Sequence, residues 1–98
     1  MIYELEFKKS ALKEWNKLGA TIQAQFTKKL KTVLENPKVP SAKLSGDNNL
    51  YKIKLRQAGY RLAYEVNDKT ITVIVIAVGK REGSKVYKAA MKRRSEEI

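Results

Sequence analysis

The chain has 98 residues, and its 21 Lys and Arg outnumber its 10 Asp and Glu to give a net charge of +11. It contains neither Cys nor His, which excludes disulfide bonds, thiolate nucleophiles and the commonest general base. The cationic excess favours a polyanionic partner such as nucleic acid, an anionic membrane or an acidic protein. No apolar run could span a membrane, and no signal peptide precedes the first charged residues, so we expect one cytoplasmic domain.

The first half of the chain predicts one strand and a pair of helices. In residues 2–7, Tyr3, Leu5 and Phe7 alternate with Ile2, Glu4 and Glu6, which is typical of a short strand. Apolar residues then recur at helical spacing over residues 11–18, and Gly19 closes this first helix. A second helix is predicted over residues 20–35, and Asn36-Pro37 ends it because the residue before proline disfavours helical geometry. The two helices should form an antiparallel hairpin on a sheet.

The second half predicts three strands and a final helix. The strands are expected at residues 50–56, 60–67 and 70–78. Short connections make both strand pairs antiparallel hairpins, and the third strand should be central because it is apolar on both faces. A charged loop at 79–83 leads to a short helix that Ser84 caps and that ends near residue 94. We therefore predict an α+β fold of order βααβββα with a small, mostly antiparallel four-stranded sheet.

Residues 51–61, Tyr-Lys-Ile-Lys-Leu-Arg-Gln-Ala-Gly-Tyr-Arg, hold the most informative pattern. Strict alternation places Lys52, Lys54 and Arg56 on one face of a strand. With a two-residue turn after Arg56, Lys54 faces Arg61 across the hairpin and Lys52 faces Ala63. Like charges on one face of a sheet repel each other and cost stability. Such a row indicates a function, and a phosphate backbone is its natural partner.

The end of the third strand should bring Lys80 and Arg81 to the same edge, where Tyr87 of the last helix can fold over them. A patch of cations with a nearby aromatic side chain suits an RNA strand, because cations hold phosphates and tyrosine stacks on a base. It could also cleave RNA without a metal ion. A lysine, Lys52 or Lys54, would take the proton of a ribose 2′-OH if its neighbours lowered its pKa from about 10.4. Arg61 and Arg81 keep their protons and would stabilise the transition state.

Simpler interpretations stay open on spacing alone. A row of Lys and Arg can be a solvated strand face that keeps a sheet edge soluble, and Tyr87 can be a packing residue. Lysines on the outer helix faces can likewise be ordinary surface. These surface cations and the sheet patch together favour a large polyanion. We therefore select five further residues as candidate RNA contacts: Lys13, Lys28, Lys43, Arg56 and Lys80. No paired carboxylates suggest a metal site, so we expect no metal and no cofactor.

Several segments together resemble the RelE toxins of type II toxin–antitoxin systems, in the RelE/ParE superfamily. They are Ala11-Leu12-Lys13-Glu14-Trp15 with Lys17-Leu18, Lys43-Leu44 with Gly46, Tyr51-Lys52-Ile53-Lys54-Leu55-Arg56, Gly59-Tyr60-Arg61-Leu62, and Val78-Gly79-Lys80-Arg81-Glu82 with Val86-Tyr87. The resemblance covers nearly the whole chain, to about residue 94. It implies a ribosome-dependent endoribonuclease (an mRNA interferase) that cuts mRNA in the ribosomal A site by 2′-OH attack and leaves a 2′,3′-cyclic phosphate.

The resemblance also implies residue roles. Lys52 and Lys54 match catalytic lysines, with Lys54 preferred as the base. Arg61 matches the residue that stabilises the transition state, Arg81 the one that acts at the leaving group, and Tyr87 the aromatic that orients the substrate base.

The partners that the resemblance implies are a RelB-like antitoxin, the ribosome with its 16S rRNA, and mRNA. The antitoxin is expected to wrap the toxin, disturb its C-terminal helix and neutralise the basic patch. Operator DNA would be bound only through the antitoxin.

The chain departs from the family pattern at two places. Ser45 stands where relatives often have arginine, and Gly83 and Lys85 alter the loop after Glu82. Two other functions stay open: a ParE-like toxin that inhibits DNA gyrase without enzymatic activity, and an RNA-binding module that does not cleave. The combination of two lysines, two arginines and a tyrosine favours the nuclease.

Overall fold

The computed structural model describes residues 2–44, 49–81 and 85–93. Its elements in chain order are β1 (Glu4–Phe7), α1 (Lys9–Asn16), α2 (Ala20–Glu35), a 3-10 turn (Pro40–Ala42), β2 (Leu50–Leu55), β3 (Tyr60–Asn67), β4 (Thr72–Lys80) and α3 (Lys85–Arg93). The predicted α+β class and the order βααβββα are confirmed. The predicted cap at Ser84 and the departures at Ser45 and Gly83 lie outside the described residues.

The four strands lie in the order β1-β4-β3-β2. The pairs β2–β3 and β3–β4 are antiparallel, as predicted, whereas β1 runs parallel to β4. The sheet is therefore mixed, a detail that local sequence patterns did not reveal. The helix hairpin carries the chain from β1 at one edge to β2 at the other. Both strands that carry the predicted cations, β2 and β3, thus lie on the far side of the sheet from β1.

Strand ends differ from the prediction by one or two residues. β4 continues past Val78 to Lys80 because Gly79 and Lys80 still pair with Arg61 and Tyr60 of β3. The predicted charged loop consequently begins later. β4 also contains a bulge: Ala77 pairs with Ala63 and Val75 with Tyr64, which leaves Ile76 between them without a partner on β3.

Helices cover both faces of the sheet. On one face α1 and α2 bury Ala11, Phe26, Leu30 and Val33 against a cluster that includes the apolar side chains of β2. On the other face α3 buries Val86 and Ala90. β4 is buried from Thr72 to Val78, which confirms the prediction of a central strand covered on both sides.

No helix within residues 2–44, 49–81 and 85–93 is long and apolar enough to cross a membrane.

Candidate active site

The register of the β2–β3 hairpin brings the predicted cations together. Lys54 pairs directly with Arg61, and Lys52 pairs with Ala63, as the alternation predicted. Tyr51, Ile53 and Leu55 are buried in the core under the helix hairpin. Lys52 and Lys54 therefore project from the opposite face, because successive side chains of a strand alternate. This is the face that α3 covers.

α3 places Tyr87 over this pair of strands. The Lys52 Nζ atom lies 5.9 Å from the centroid of the tyrosine ring, and the Arg61 Cζ atom lies 5.5 Å from it. Both distances are within the range of cation–π attraction. An Arg61 guanidinium N–H also donates to the Tyr87 hydroxyl at 3.4 Å. Tyr87 is half-buried and packs at the margin of the second core cluster as well, so it has a packing role in addition.

Arg81 is tied to the same corner through its backbone. Its N–H donates to the carbonyl of Gly59 at 2.7 Å, which links the end of β4 to the turn between β2 and β3. Gly59 has a φ of 73°, a left-handed conformation that residues with a Cβ adopt at a cost. The Arg81 side chain is exposed.

The concentrated charge changes the acidity of Lys54. The charge of Lys52 lowers the pKa of the Lys54 ammonium most, followed by partial desolvation and by the charges of Arg61, Arg56 and Arg81. All of these favour the neutral amine, the form that can accept a proton. We use the name cationic cluster for four cations together with the aromatic ring that two of them contact: Lys52, Lys54, Arg61, Arg81 and Tyr87.

Arg56 and Lys28 lie beside the cationic cluster. Arg56 is exposed at the end of β2, close enough to influence Lys54. Lys28 of α2 lines an open groove of about 690 Å³ between α2 and β2 together with Lys52 and Lys54.

Lys29 lines this groove as well, although the sequence pattern did not single it out as a candidate RNA contact. It also lines a smaller cavity of about 300 Å³ beside Lys54 and Arg56. Gln25 and Lys29 are one helical turn apart and both face β2. Their spacing would have indicated a shared face of α2, but the sequence offered no sign of which strand that face meets.

The other candidate RNA contacts lie farther out. Lys43 forms an isolated bridge with Tyr51 and so flanks the outer edge of β2. Lys80 lines a different cavity, of about 290 Å³, with Glu14 and Arg93. Lys13 is exposed on α1, which packs in the core cluster on the sheet face opposite α3. Lys13 therefore lies apart from the cationic cluster, whereas Lys80 adjoins Arg81 in the chain but lines this other cavity.

The described part of the chain contains no group of three or more Asp and Glu side chains that could hold a metal ion.

Comparison with known proteins gives the family. The family model described as the ParE toxin of type II toxin–antitoxin systems, parDE, matches residues 5–84. The mRNA interferase toxin RelE of Escherichia coli K12 is 55% identical over 93 residues, which cover 95% of this chain and 98% of that protein. The chain belongs to the RelE toxin family, within the RelE/ParE superfamily.

Solved structures agree with this assignment. A double mutant of the E. coli toxin RelE in its free state superposes with a TM-score of 0.88 at 54% identity, covering 95% of this chain and 98% of that one. RelE in the intact E. coli RelBE toxin–antitoxin complex gives a TM-score of 0.79 at 54% identity, covering 82% of this chain and 98% of the other. The resemblance noted in the sequence is confirmed.

Proposed function

We propose that this protein is the toxin of a type II toxin–antitoxin pair and an mRNA interferase that cuts mRNA in the ribosomal A site. Its 55% identity to an mRNA interferase toxin over nearly the whole chain supports this function. The observation that carries the chemistry is the pairing of Lys54 with Arg61, whose guanidinium lies under Tyr87, while neighbouring cations lower the pKa of the Lys54 ammonium. Because its substrate is mRNA under translation, the protein would act in the cytoplasm.

In the proposed reaction the neutral amine of Lys54 takes the proton of the ribose 2′-OH. The 2′-oxygen attacks the adjacent phosphorus, the bond to the 5′-oxygen breaks, and a 2′,3′-cyclic phosphate forms. Arg61 stabilises the charge that develops on the phosphorane. Arg81 stabilises the departing 5′-oxygen, which gains its proton from solvent. No metal ion or cofactor takes part in this scheme.

Lys52 and Tyr87 would act on position and acidity. Lys52 is the largest cause of the lowered pKa of Lys54, and its charge can also hold a phosphate. The ring of Tyr87 is half-buried, and its remaining accessible surface can stack on a substrate base. A lysine base works best when the 2′-oxygen is held in line with the phosphorus, because correct alignment of the reacting atoms removes much of the activation barrier. The ribosome would supply that alignment.

The remaining cations would bind the ribosome. Lys28 and Arg56 adjoin the cationic cluster, and Lys13, Lys43 and Lys80 extend the positive surface around the domain. Each phosphate that such a lysine or arginine neutralises releases counterions and strengthens binding. These residues are proposed contacts to 16S rRNA at the A site.

A RelB-like antitoxin is the proposed protein partner. The E. coli RelE relative has been solved in complex with RelB, and RelE structures from Pyrococcus horikoshii and Mycobacterium tuberculosis are also of toxin–antitoxin complexes. An acidic antitoxin would match the net charge of +11. Operator DNA would be reached only through that antitoxin.

Gyrase inhibition is the second candidate, because the family model that matches residues 5–84 is described as a ParE toxin. Primer extension on a translated mRNA after expression of the protein, beside a gyrase supercoiling assay, separates the two functions. We expect cleavage within codons and normal supercoiling. Inhibited supercoiling with intact mRNA would overturn the nuclease assignment.

Arg81→Ala should reduce cleavage by roughly 10²- to 10³-fold, the usual effect of removing one group that stabilises transition-state charge. Lys69→Ala is the control, because it removes one exposed cation from the turn before β4. The same RNA without ribosomes should be cut poorly. Binding of RNA by the wild-type protein without any cleaved product would identify a non-catalytic RNA-binding module instead.

A further inference from the structure

Within the described part of the chain, no strand lies beside the second half of β4 on the side away from β3. β1 pairs with β4 only as far as Phe7 opposite Val75, and the Lys8 N–H then donates to the Val75 carbonyl at 2.9 Å. The bulge at Ile76 follows directly. Backbone groups that turn away from β3 beyond this point need other partners, since unpaired backbone polar groups cost free energy when shielded from water.

Two side chains supply partners for two of these groups, the Val78 N–H and the Ile76 carbonyl. The Glu14 Oε1 atom accepts the Val78 N–H at 3.2 Å, and Arg93 Nη1 donates to the Ile76 carbonyl at 3.2 Å. The two side chains also bind each other, with Arg93 Nη1 donating to Glu14 Oε1 at 2.7 Å and Nη2 to Oε2 at 3.4 Å. A paired guanidinium and carboxylate form a planar, directional contact that is stronger than a neutral hydrogen bond.

This ion pair joins the two helical layers around the edge of the sheet. Glu14 belongs to α1 and Arg93 is the last described residue of α3, so the contact joins two residues that lie 79 positions apart in the chain. The side chains are 21% and 34% exposed for Arg93 and Glu14, which protects the pair from full solvent screening.

α3 needs such an anchor. Its described part, Lys85–Arg93, spans nine residues, of which Val86 and Ala90 are buried. Helices this short are marginal by themselves, so their stability comes from tertiary contacts. Tyr87 sits near the start of the same helix, about 9 Å along the axis from Arg93. Loosening the last turn of α3 would therefore loosen the ring over Arg61.

We propose that Glu14 and Arg93 are positioning residues for RNA cleavage: their ion pair holds α3 on the sheet and thereby holds Tyr87 over Lys52 and Arg61. The kinetic part of this proposal rests on the proposed function. The anchoring of α3 is a physical property of the fold and can be measured without any substrate.

Substitutions that change the net charge in opposite directions distinguish this positioning role from direct RNA binding. Glu14→Gln raises the net charge by one, and Arg93→Met lowers it by one. If Arg93 simply held a phosphate, Arg93→Met would weaken binding while Glu14→Gln would leave it equal or stronger. Positioning predicts that both substitutions reduce activity, since both break the same ion pair.

Hydrogen exchange of the purified chain, read by mass spectrometry, tests the anchor directly. Glu14→Gln and Arg93→Met should speed exchange of the α3 amides by about tenfold through easier local opening. The matched controls are Glu35→Gln and Lys88→Met, which make the same charge changes at exposed positions of α2 and α3. Unchanged exchange in α3 would overturn the anchor.

Cleavage on programmed ribosomes tests the consequence. Each substitution should lower kcat by roughly 10- to 100-fold through misplacement of Tyr87, with KM nearly unchanged. When Tyr87 is already replaced by Ala, neither Glu14→Gln nor Arg93→Met should reduce kcat further, because both substitutions act through the position of Tyr87. Arg93→Lys should recover part of the rate, since it keeps a charge for Glu14.

Three outcomes would contradict the proposal or its premise. Losses that multiply with Tyr87→Ala would show that Arg93 acts independently of the tyrosine. Faster cleavage by Glu14→Gln would indicate a charge effect. Absence of cleavage by the wild-type protein would overturn the proposed function and with it the kinetic role, while the exchange data would still decide whether the ion pair anchors α3.

Discussion

At the scale of single residues, repulsion within the cationic cluster lowers the stability of the fold and also makes Lys54 a better base. Lys54 faces Arg61 and has Lys52 two residues away on the same strand face. Like charges at these positions repel, and the same repulsion lowers the pKa of Lys54. A solvated strand face would explain the charges, but it would not require an aromatic ring above them at 5.5 Å from Arg61.

The pH dependence of cleavage should report the acidity of Lys54. Activity is expected to rise with pH through the pKa of Lys54, because only the neutral amine accepts a proton. Lys52→Met removes the largest cause of the lowered pKa, so it should move the rising limb to higher pH. Arg56→Met removes a smaller cause and should move it less. The position of the limb is the measurement, and an unshifted limb in Lys52→Met would exclude Lys54 as the titrating base.

Removing the Lys54 charge should raise the melting temperature at pH 7. The pKa of Lys54 is lower in the folded protein than in an unfolded chain, so its protonated form opposes folding at neutral pH. The advantage of Lys54→Met should shrink as the pH rises through that lowered pKa, because the wild-type lysine then becomes neutral too. Scanning calorimetry at several pH values measures this, with Lys69→Met as the control. A lower melting temperature at pH 7 would show that the lysine stabilises the fold.

At the scale of elements, the β2–β3 hairpin is the part that assembles the site. Its register pairs Lys54 with Arg61, and its turn supplies the carbonyl of Gly59 that receives the Arg81 N–H. α3 then adds Tyr87 from the other end of the chain. The turn and the helix therefore control the placement of the two groups that lie outside β2 and β3.

Gly59→Ala should destabilise the protein by about 1–2 kcal/mol, the cost of a left-handed conformation for a residue with a Cβ. Apart from Gly59 and its two chain neighbours, no atom of the described residues lies within 4 Å of the position that this Cβ would take, so the effect is conformational and not steric. Gly59→Asn is the matched variant, because asparagine tolerates positive φ better. Urea unfolding measures both free energies. Equal losses in the two variants would mean that the backbone conformation is not the cause.

At the scale of the whole molecule, the net charge of +11 governs association with the ribosome. This positive charge extends beyond the cationic cluster, since Lys28 and Lys29 line the groove beside β2 and Lys13 lies on α1. Charge of this kind speeds encounter with a polyanion and makes binding sensitive to salt.

Salt titration should identify which cations contact RNA. The double change Lys28→Gln and Lys29→Gln should reduce the slope of log K against log salt by about 1.4–1.8, the value for two lost phosphate contacts. Lys9→Gln with Lys17→Gln lowers the net charge equally at exposed positions of α1 and its C-cap, and it should leave the slope nearer that of the wild type. Equal slopes for the two double variants would mean that the groove makes no specific contact. Ribosome binding at graded potassium concentrations provides the data.

Local patterns in the sequence were sufficient for the elements and for part of the site. Alternation set the faces of β2, and a short turn fixed Lys54 opposite Arg61, because strand periodicity and hairpin geometry depend on neighbouring residues alone. The buried run of β4 identified a central strand for the same reason.

Only the tertiary structure decided how distant segments meet. The parallel pairing of β1 with β4, the groove that Lys29 shares with Lys54, and the ion pair between Glu14 and Arg93 all join segments far apart in the chain. Their geometry depends on how whole layers pack, which no local period encodes. The sequence by itself thus determined the charge, the element order and the Lys54–Arg61 register, and packing determined how α3 holds Tyr87 above them.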